Sequence, residues 1–223
     1  MNPIRVESLS QVIAGRIREM IRKGTLKKGD RIVEKEFCSA MGISRTPLRE
    51  SLRLLSSEGL IELIPNRGAF VAEPSLQDIR EMFWVMSILE GTCARLCAEN
   101  MMDEGLRKLE ILYDRLEKHA REKNHDKYMI VNHRYHSLVQ ELGGSKVLSE
   151  VIGGLRQKIL VYRYRQIYTP NRLSASMAEH RALQEAFRQR DPDAAERLMK
   201  EHLIRQIEAL QGAYGAPDAP SLP

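Results

Sequence analysis

Six histidines occur in the chain, at positions 119, 125, 133, 136, 180 and 202. The last two are placed symmetrically: His180 is eleven residues before Asp191 and His202 is eleven after it. Asp191-Pro192 reads as a break between two helical stretches. If the break is a hairpin turn, equal helical rise sets both side chains at one height. Asn132 and His136 are four residues apart and share one face of another helix. Three helices can thus bring one amide oxygen and three imidazoles to a common interior. Imidazole binds zinc, nickel, copper and iron, and an amide oxygen can complete the set. The same spacing also fits partly buried histidines paired with nearby carboxylates such as Glu179 and Glu201. The residues alone leave both readings open.

A second group suits phosphate and base edges. Ser44-Arg45-Thr46-Pro47-Leu48-Arg49 places two arginines and two hydroxyls at the start of a predicted helix. Leu48, Leu52, Leu55 and Leu60 can pack inward. A recognition helix needs this division, because its N-terminal end enters the major groove while its opposite face holds the core. Arginine can donate paired hydrogen bonds to guanine O6 and N7; hydroxyls and a helix N-terminus suit phosphate oxygens. Further on, Arg67 beside Gly68 can approach backbone or minor groove closely. Any one of these arginines alone reads more simply as a solvated surface charge; the combination in one frame points to DNA.

The elements that must position these groups follow from periodicity. A helix is predicted over 8–23, with Leu9, Val12, Ile13, Ile17, Met20 and Ile21 at helical spacing. Ser8 and Gln11 have the form of a capping box, and Gly24 is a stop signal. Arg31-Ile32-Val33 is a short strand at most. A second helix is expected from Glu34 to Met41, ended by Gly42. A third follows after a very short link, with Pro47 in its first turn where a missing N–H costs little. Residues 60–64 alternate as a strand, Pro65-Asn66-Arg67-Gly68 supplies a turn, and 69–72 can return as a second strand. Helix, helix, tight turn, helix and hairpin is the layout of a winged helix-turn-helix. Pro74 ends it, and Ser75 with Asp78 can cap the next helix. Helices are then predicted over 75–100, 103–122, 125–142, 145–167, 171–190 and 192–211.

The predicted fold class is mainly α. It has an N-terminal winged helix-turn-helix over 1–73, a C-terminal all-helical antiparallel bundle over 74–211, and a loose tail over 212–223. No internal repeat is evident. Cys93 and Cys97 are one turn apart and read as small buried side chains rather than ligands. Met82, Phe83, Trp84 and Met86 read as packing residues. Arg163 and Arg165, with Tyr162 and Tyr164, can line a pocket or form a solvated or inter-subunit face.

Composition narrows the class. Of 223 residues, 43% are apolar and 29% charged, which is a globular balance and excludes global disorder. The longest apolar run is the five residues from Met82 to Met86, far short of a membrane span, and the first residues lack the apolar core of a secretion signal. Three cysteines fit a reducing cytoplasm better than a disulfide framework. The net charge of +5 is uneven: residues 1–73 carry thirteen Lys and Arg against nine Asp and Glu, and the rest is near neutral. A basic first third on a near-neutral body fits a polyanion-binding module joined to something else.

The first seventy residues resemble the GntR family of bacterial transcription regulators. The matching residues are Gly24, Gly29, Ser44-Arg45-Thr46-Pro47-Leu48-Arg49-Glu50, Leu55, Glu58-Gly59-Leu60 and Asn66-Arg67-Gly68. By that resemblance the operator-contacting positions are Lys35, Arg45, Thr46, Arg49, Arg67 and Gly68, with Ser44 as a helix cap or phosphate contact. Arg45 and Arg49 are the inferred base readers. The remainder resembles the FCD domain of the FadR-type branch, on Leu89-Glu90, Asn132-x-x-Tyr135-His136, Glu179-His180-x-x-Leu183-x-x-Ala186 and Asp191-Pro192-x-Ala194-Ala195 leading to His202. Six helices rather than seven is the VanR-like pattern. The resemblance implies a divalent metal, zinc or nickel, held by Asn132, His136, His180 and His202. It also implies a small carboxylate effector, a homodimer and a palindromic operator, with repression the usual mode.

Two positions depart from the family pattern. Asn132 stands where many members have Asp, and Met86 stands where an arginine is common. A metal held by neutral imidazoles and a neutral amide keeps its full charge, which favours an anionic ligand coordinating it directly. Two other functions are weighed. One is a metal-dependent hydrolase fused to a DNA-binding head, which would need a general base beside an open coordination position; no His-Glu-x-x-His run exists. The other is a regulator whose C-terminal domain only dimerises.

Overall fold

The computed structural model describes residues 8–72 and 75–214. Pro74, expected to end the first unit, and the tail beyond 214 lie outside the described residues. The chain divides into two compact units, Met1–Ser75 and Leu76–Pro223.

In the first unit, α1 (Leu9–Lys23) begins at Ser8, whose side chain accepts from the Gln11 N–H while Gln11 reaches back to the Ser8 N–H. This reciprocal cap satisfies two helix-end donors. Gly24 ends the helix at φ 75°, a left-handed conformation that glycine adopts without steric cost. The buried stripe is Ile13, Ala14, Ile17 and Ile21; Leu9 and Val12, counted in the periodic pattern, are exposed. Short α2 (Glu34–Met41) and α3 (Arg45–Ser57) follow. Leu48, Leu52 and Leu55 turn inward, and α3 packs on α1. A bidentate pair between Arg18 and Glu58 ties the two helices at their edge.

The wing is a sheet of three strands rather than a bare hairpin. β1 (Arg31–Ile32) pairs antiparallel with β3 (Gly68–Val71), which pairs antiparallel with β2 (Ile61–Ile64). The register sets Ile32 opposite Ala69 and Leu63 opposite Ala69. Ile61 and Val71 point into the core, whereas Leu63 is exposed, so the expected alternation holds only at the start of β2.

The described residues of the second unit form six helices: α4 (Leu76–Glu99), α5 (Asp103–Arg121), α6 (His125–Gly143), α7 (Lys146–Ile167), α8 (Arg172–Arg188) and α9 (Pro192–Tyr214). The last runs three residues past its expected end. Together they form the all-helical bundle, with α4 against α9 and α6, α5 against α6 and α8, and α8 against α9. Phe83, Met86, Leu109, Tyr128, Tyr135, Phe187 and Leu203 fill its core. Cys93 and Cys97 are buried among them, and desolvation pushes their thiols up to about 11 and about 12. A thiol held that high is inert at neutral pH. At the end of α6, a Cβ on Gly143 would come within 2.9 Å of the Cys93 carbonyl oxygen. Glycine there lets α6 approach the backbone of α4.

Candidate metal centre and nucleic-acid interface

At the DNA side, Lys35, Ser44, Arg45, Thr46, Arg49, Arg67 and Gly68 are all exposed. Ser44 occupies the N-cap position of α3, yet its side chain makes no capping hydrogen bond. Of the two roles expected for it, the cap is therefore not the one seen. Arg45 has no hydrogen bond or ion pair among the described residues, whereas Arg49 Nε donates to both Glu34 oxygens, at 2.9 and 3.0 Å. Arg67 lies 5.8 Å from the centre of the Phe70 ring, a cation–π contact at the wing. Gly68, at φ 106°, turns the chain into β3.

In the second unit, α6, α8 and α9 bring His136, His180 and His202 together. One nitrogen from each ring lies within 4.8 Å of the others. The His180 and His202 rings are 4.7 Å apart and the His136 and His202 rings 5.2 Å. All three are buried, as is Asn132 one turn before His136.

Each ring is oriented through Nδ1. His136 Nδ1–H donates to Glu90 Oε2 at 2.5 Å, His202 Nδ1–H to Glu179 Oε2 at 2.6 Å, and His180 Nδ1–H to the Ser176 carbonyl at 2.7 Å. This fixes one neutral tautomer, with the lone pair of each ring on Nε2. The Nε2 atoms of His136 and His180 and Oδ1 of Asn132 are buried with no hydrogen-bond partner. Buried polar atoms are rarely left so. A cation held between the rings would satisfy the two imidazole nitrogens. His202 Nε2 instead accepts from Gln206 Nε2 at 2.9 Å, and Gln206 Oε1 is itself buried and unpartnered. That amide must turn aside for all three lone pairs to be offered at once. With that adjustment, the three imidazoles fit a divalent metal.

The carboxylates are in turn held by arginines. Glu90 Oε1 accepts from Arg156 and Arg163, each at 3.2 Å. Arg172 grips both oxygens of Glu179 at 2.7 Å and is itself held by Gln166. Burial alone would push the Glu90 carboxyl up, but His136, Arg163 and Arg156 pull it well below the ordinary range. Burial likewise opposes ionisation of Glu179, yet His202 and Arg172 hold it down to about 2. Desolvation lowers His136 and His202 to about 4 and His180 to about 3. The rings are thus neutral at pH 7, the form that binds metal.

Acid should therefore weaken this domain. In the unfolded chain each ring titrates near 6.5, above its folded value, so the unfolded state takes up protons first. Stability is full above about pH 6.5 and falls as the pH drops toward about 4. Glu179 extends the loss downward from 4.5 toward its folded value of about 2. Metal-free protein is expected to show a steeply falling melting temperature from about pH 6.5 to about pH 4, followed by circular dichroism. A flat profile would contradict burial of neutral rings.

The contacts that tie Glu90, Arg156 and Arg163 into this network had no local signal in the sequence. Glu90 is 46 positions from His136, and Arg156 and Arg163 are 66 and 73 from Glu90. Glu201, weighed as a histidine partner, pairs with Arg197 and Arg205 on its own helix. Adjacent residues on a helix point about 100° apart, which sends Glu201 away from His202. Arg163 and Tyr162 are buried, not part of a solvated face.

A winged helix-turn-helix joined to a helical bundle with a buried ligand-type cluster defines a DNA-binding regulator. The comparisons give the family. Residues 9–71 match the bacterial regulatory proteins of the gntR family, and residues 81–205 match the FCD domain. The chain belongs to the GntR family, in the branch carrying an FCD effector-binding domain. It is similar to the HTH-type transcriptional regulator YdhC of Bacillus subtilis (strain 168), with 26% identity over 87% of this chain and 88% of the relative. It is also similar to the HTH-type transcriptional repressor RspR of Escherichia coli (strain K12), with 25% identity over 95% of this chain and 92% of the relative. Among solved structures, E. coli McbR/YncC superposes with a TM-score of 0.76 at 23% identity, covering 94% of this chain and all of that one, which shows the shared fold. These relatives are transcription regulators, not enzymes, and FCD domains often bind metal. No described helix is long and apolar enough to cross a membrane.

Proposed function

We propose that this chain is a cytoplasmic repressor that binds a two-fold symmetric operator as a homodimer and responds to a small organic acid. Two copies are needed because one recognition helix reads only a few base pairs. Arg45 and Arg49 read bases; Lys35, Ser44, Thr46, Arg67 and Gly68 contact the backbone or minor groove. Asn132, His136, His180 and His202 hold a divalent metal, zinc or nickel. When bound, it supplies a positive centre for a carboxylate in a site that excludes water.

The observation that carries this reading is the meeting of three buried imidazoles from α6, α8 and α9, with the Nε2 atoms of His136 and His180 left without partners. The surrounding charge favours an anion. Arg156 and Arg163 share the single carboxylate of Glu90, and Arg163 Nη2 is buried with no acceptor. Glu90 and Glu179 orient two of the rings, Arg172 keeps Glu179 ionised, and Tyr128 and Tyr135 close the site among core side chains. Effector binding can move the DNA-binding units only as far as the acid binds the two arrangements with different affinity.

The test titrates metal-free and metal-loaded protein against a duplex selected from genomic fragments, across a library of carboxylates. At least one acid should weaken operator binding by metal-loaded protein roughly 5- to 150-fold and leave metal-free protein unaffected. Identical affinities throughout would support a C-terminal domain that only dimerises.

A further inference from the structure

We infer that Glu34 is a positioning residue for base reading: it holds the Arg49 guanidinium by Nε so that its far edge is presented to guanine. The inference rests on Arg49 being a base reader. Glu34 opens α2 and Arg49 lies in the first half of α3, and the two are fifteen residues apart. Both line a groove of about 570 Å³ between α3 and the wing, together with Arg53, Asn66 and Gly68.

The contact is specific in form. Arg49 Nε donates to both carboxylate oxygens, and among the described residues nothing engages Nη1 or Nη2. Guanine O6 and N7 need two parallel N–H donors from one arginine, and the two Nη groups supply them when Nε is occupied elsewhere. An exposed pair of this kind contributes little to stability: Arg49 is 60% exposed and Glu34 31%. What it restricts is direction. A long arginine side chain that is already oriented loses less freedom on binding, an advantage of roughly three- to tenfold in affinity. Arg45, which has no such partner, serves as the internal contrast.

Glu34 also places a negative charge beside the DNA-facing surface, which opposes backbone binding on any sequence. The two effects give opposite signs for its removal. Glu34→Ala should weaken binding to a selected operator roughly three- to tenfold while binding to random duplex stays level or tightens. A purely structural role at the α2 N-terminus would weaken both together.

The experiment enriches fully randomised duplexes with wild-type protein, Glu34→Ala, Glu34→Gln, Arg49→Ala and the Glu34→Ala/Arg49→Ala double variant, with melting temperatures recorded for each. Wild type should converge on a motif containing a strongly preferred guanine. Arg49→Ala should lose that preference, Glu34→Ala should blunt it at the same position, and the double variant should lose no more than Arg49→Ala. Glu34→Gln keeps one acceptor and should fall between. Replacing that guanine by 7-deazaguanine should penalise wild type more than Glu34→Ala. An unchanged motif for Glu34→Ala, or a parallel shift on operator and random duplex, overturns the role of Glu34. An unchanged motif for Arg49→Ala instead overturns the base-reader assignment beneath it.

Discussion

Protein purified from metal-replete medium is expected to carry about one divalent ion per chain, and the His180→Ala/His202→Ala double variant to carry none. The expectation rests on the three Nδ1–H bonds that fix the tautomers and on the atoms left without partners. Chelation should then lower the melting temperature. At a ligand concentration about a thousand times Kd, binding contributes about 4 kcal/mol, or roughly 8–16 °C for a chain of this size. Removing two buried rings leaves Glu179 short of a partner and opens cavities, so the double variant can lose its fold. Milder variants keep the question answerable. Asn132→Ala should weaken metal binding at least about tenfold and Asn132→Asp, which adds a carboxylate, should tighten it by a similar factor. Glu179→Gln should cost about 10- to 100-fold through the orientation of His202. Equal metal content in all of these proteins, measured by mass spectrometry, would leave the cluster as ordinary core histidines.

The second large effect is at the DNA. Arg49→Ala should weaken operator binding by about 1–3 kcal/mol, roughly 5- to 150-fold, and Arg45→Ala by a similar amount. Both side chains are exposed, so the melting temperature should stay within about 1–2 °C of wild type. Lys35→Ala should weaken binding to all sequences alike and reduce the salt dependence by about one phosphate contact. A band-shift series at several salt concentrations separates these outcomes. Equal operator affinity for Arg49→Ala and wild type would remove it from the interface.

Most element boundaries were legible because the caps are local. Ser8 with Gln11, Gly24 and Gly42 announce their turns within three or four residues. The wing was harder: β1 is two residues long, and its pairing with β3 spans nearly forty positions. The histidine cluster was legible in outline because His180 and His202 are related by a hairpin, a geometry that spacing encodes. What held the rings was not, since Glu90 reaches His136 from another helix and Arg163 reaches Glu90 from a third. Glu179 lay beside His180 in sequence but serves His202, because neighbours on a helix face different ways. Arg49 stood out in the sequence as a candidate base reader; its contact with Glu34, on the preceding helix, did not.

The paired carboxylates beneath the imidazoles bear on protein engineering. Copying only His136, His180 and His202 onto another scaffold would leave rings free to spin and to take either tautomer. A faithful transplant must also carry Glu90, Glu179, Arg156, Arg163 and Arg172, which come from α4, α7 and α8. The smallest portable module is therefore nearly the whole bundle, and minimal peptides built around the histidines alone should chelate indiscriminately.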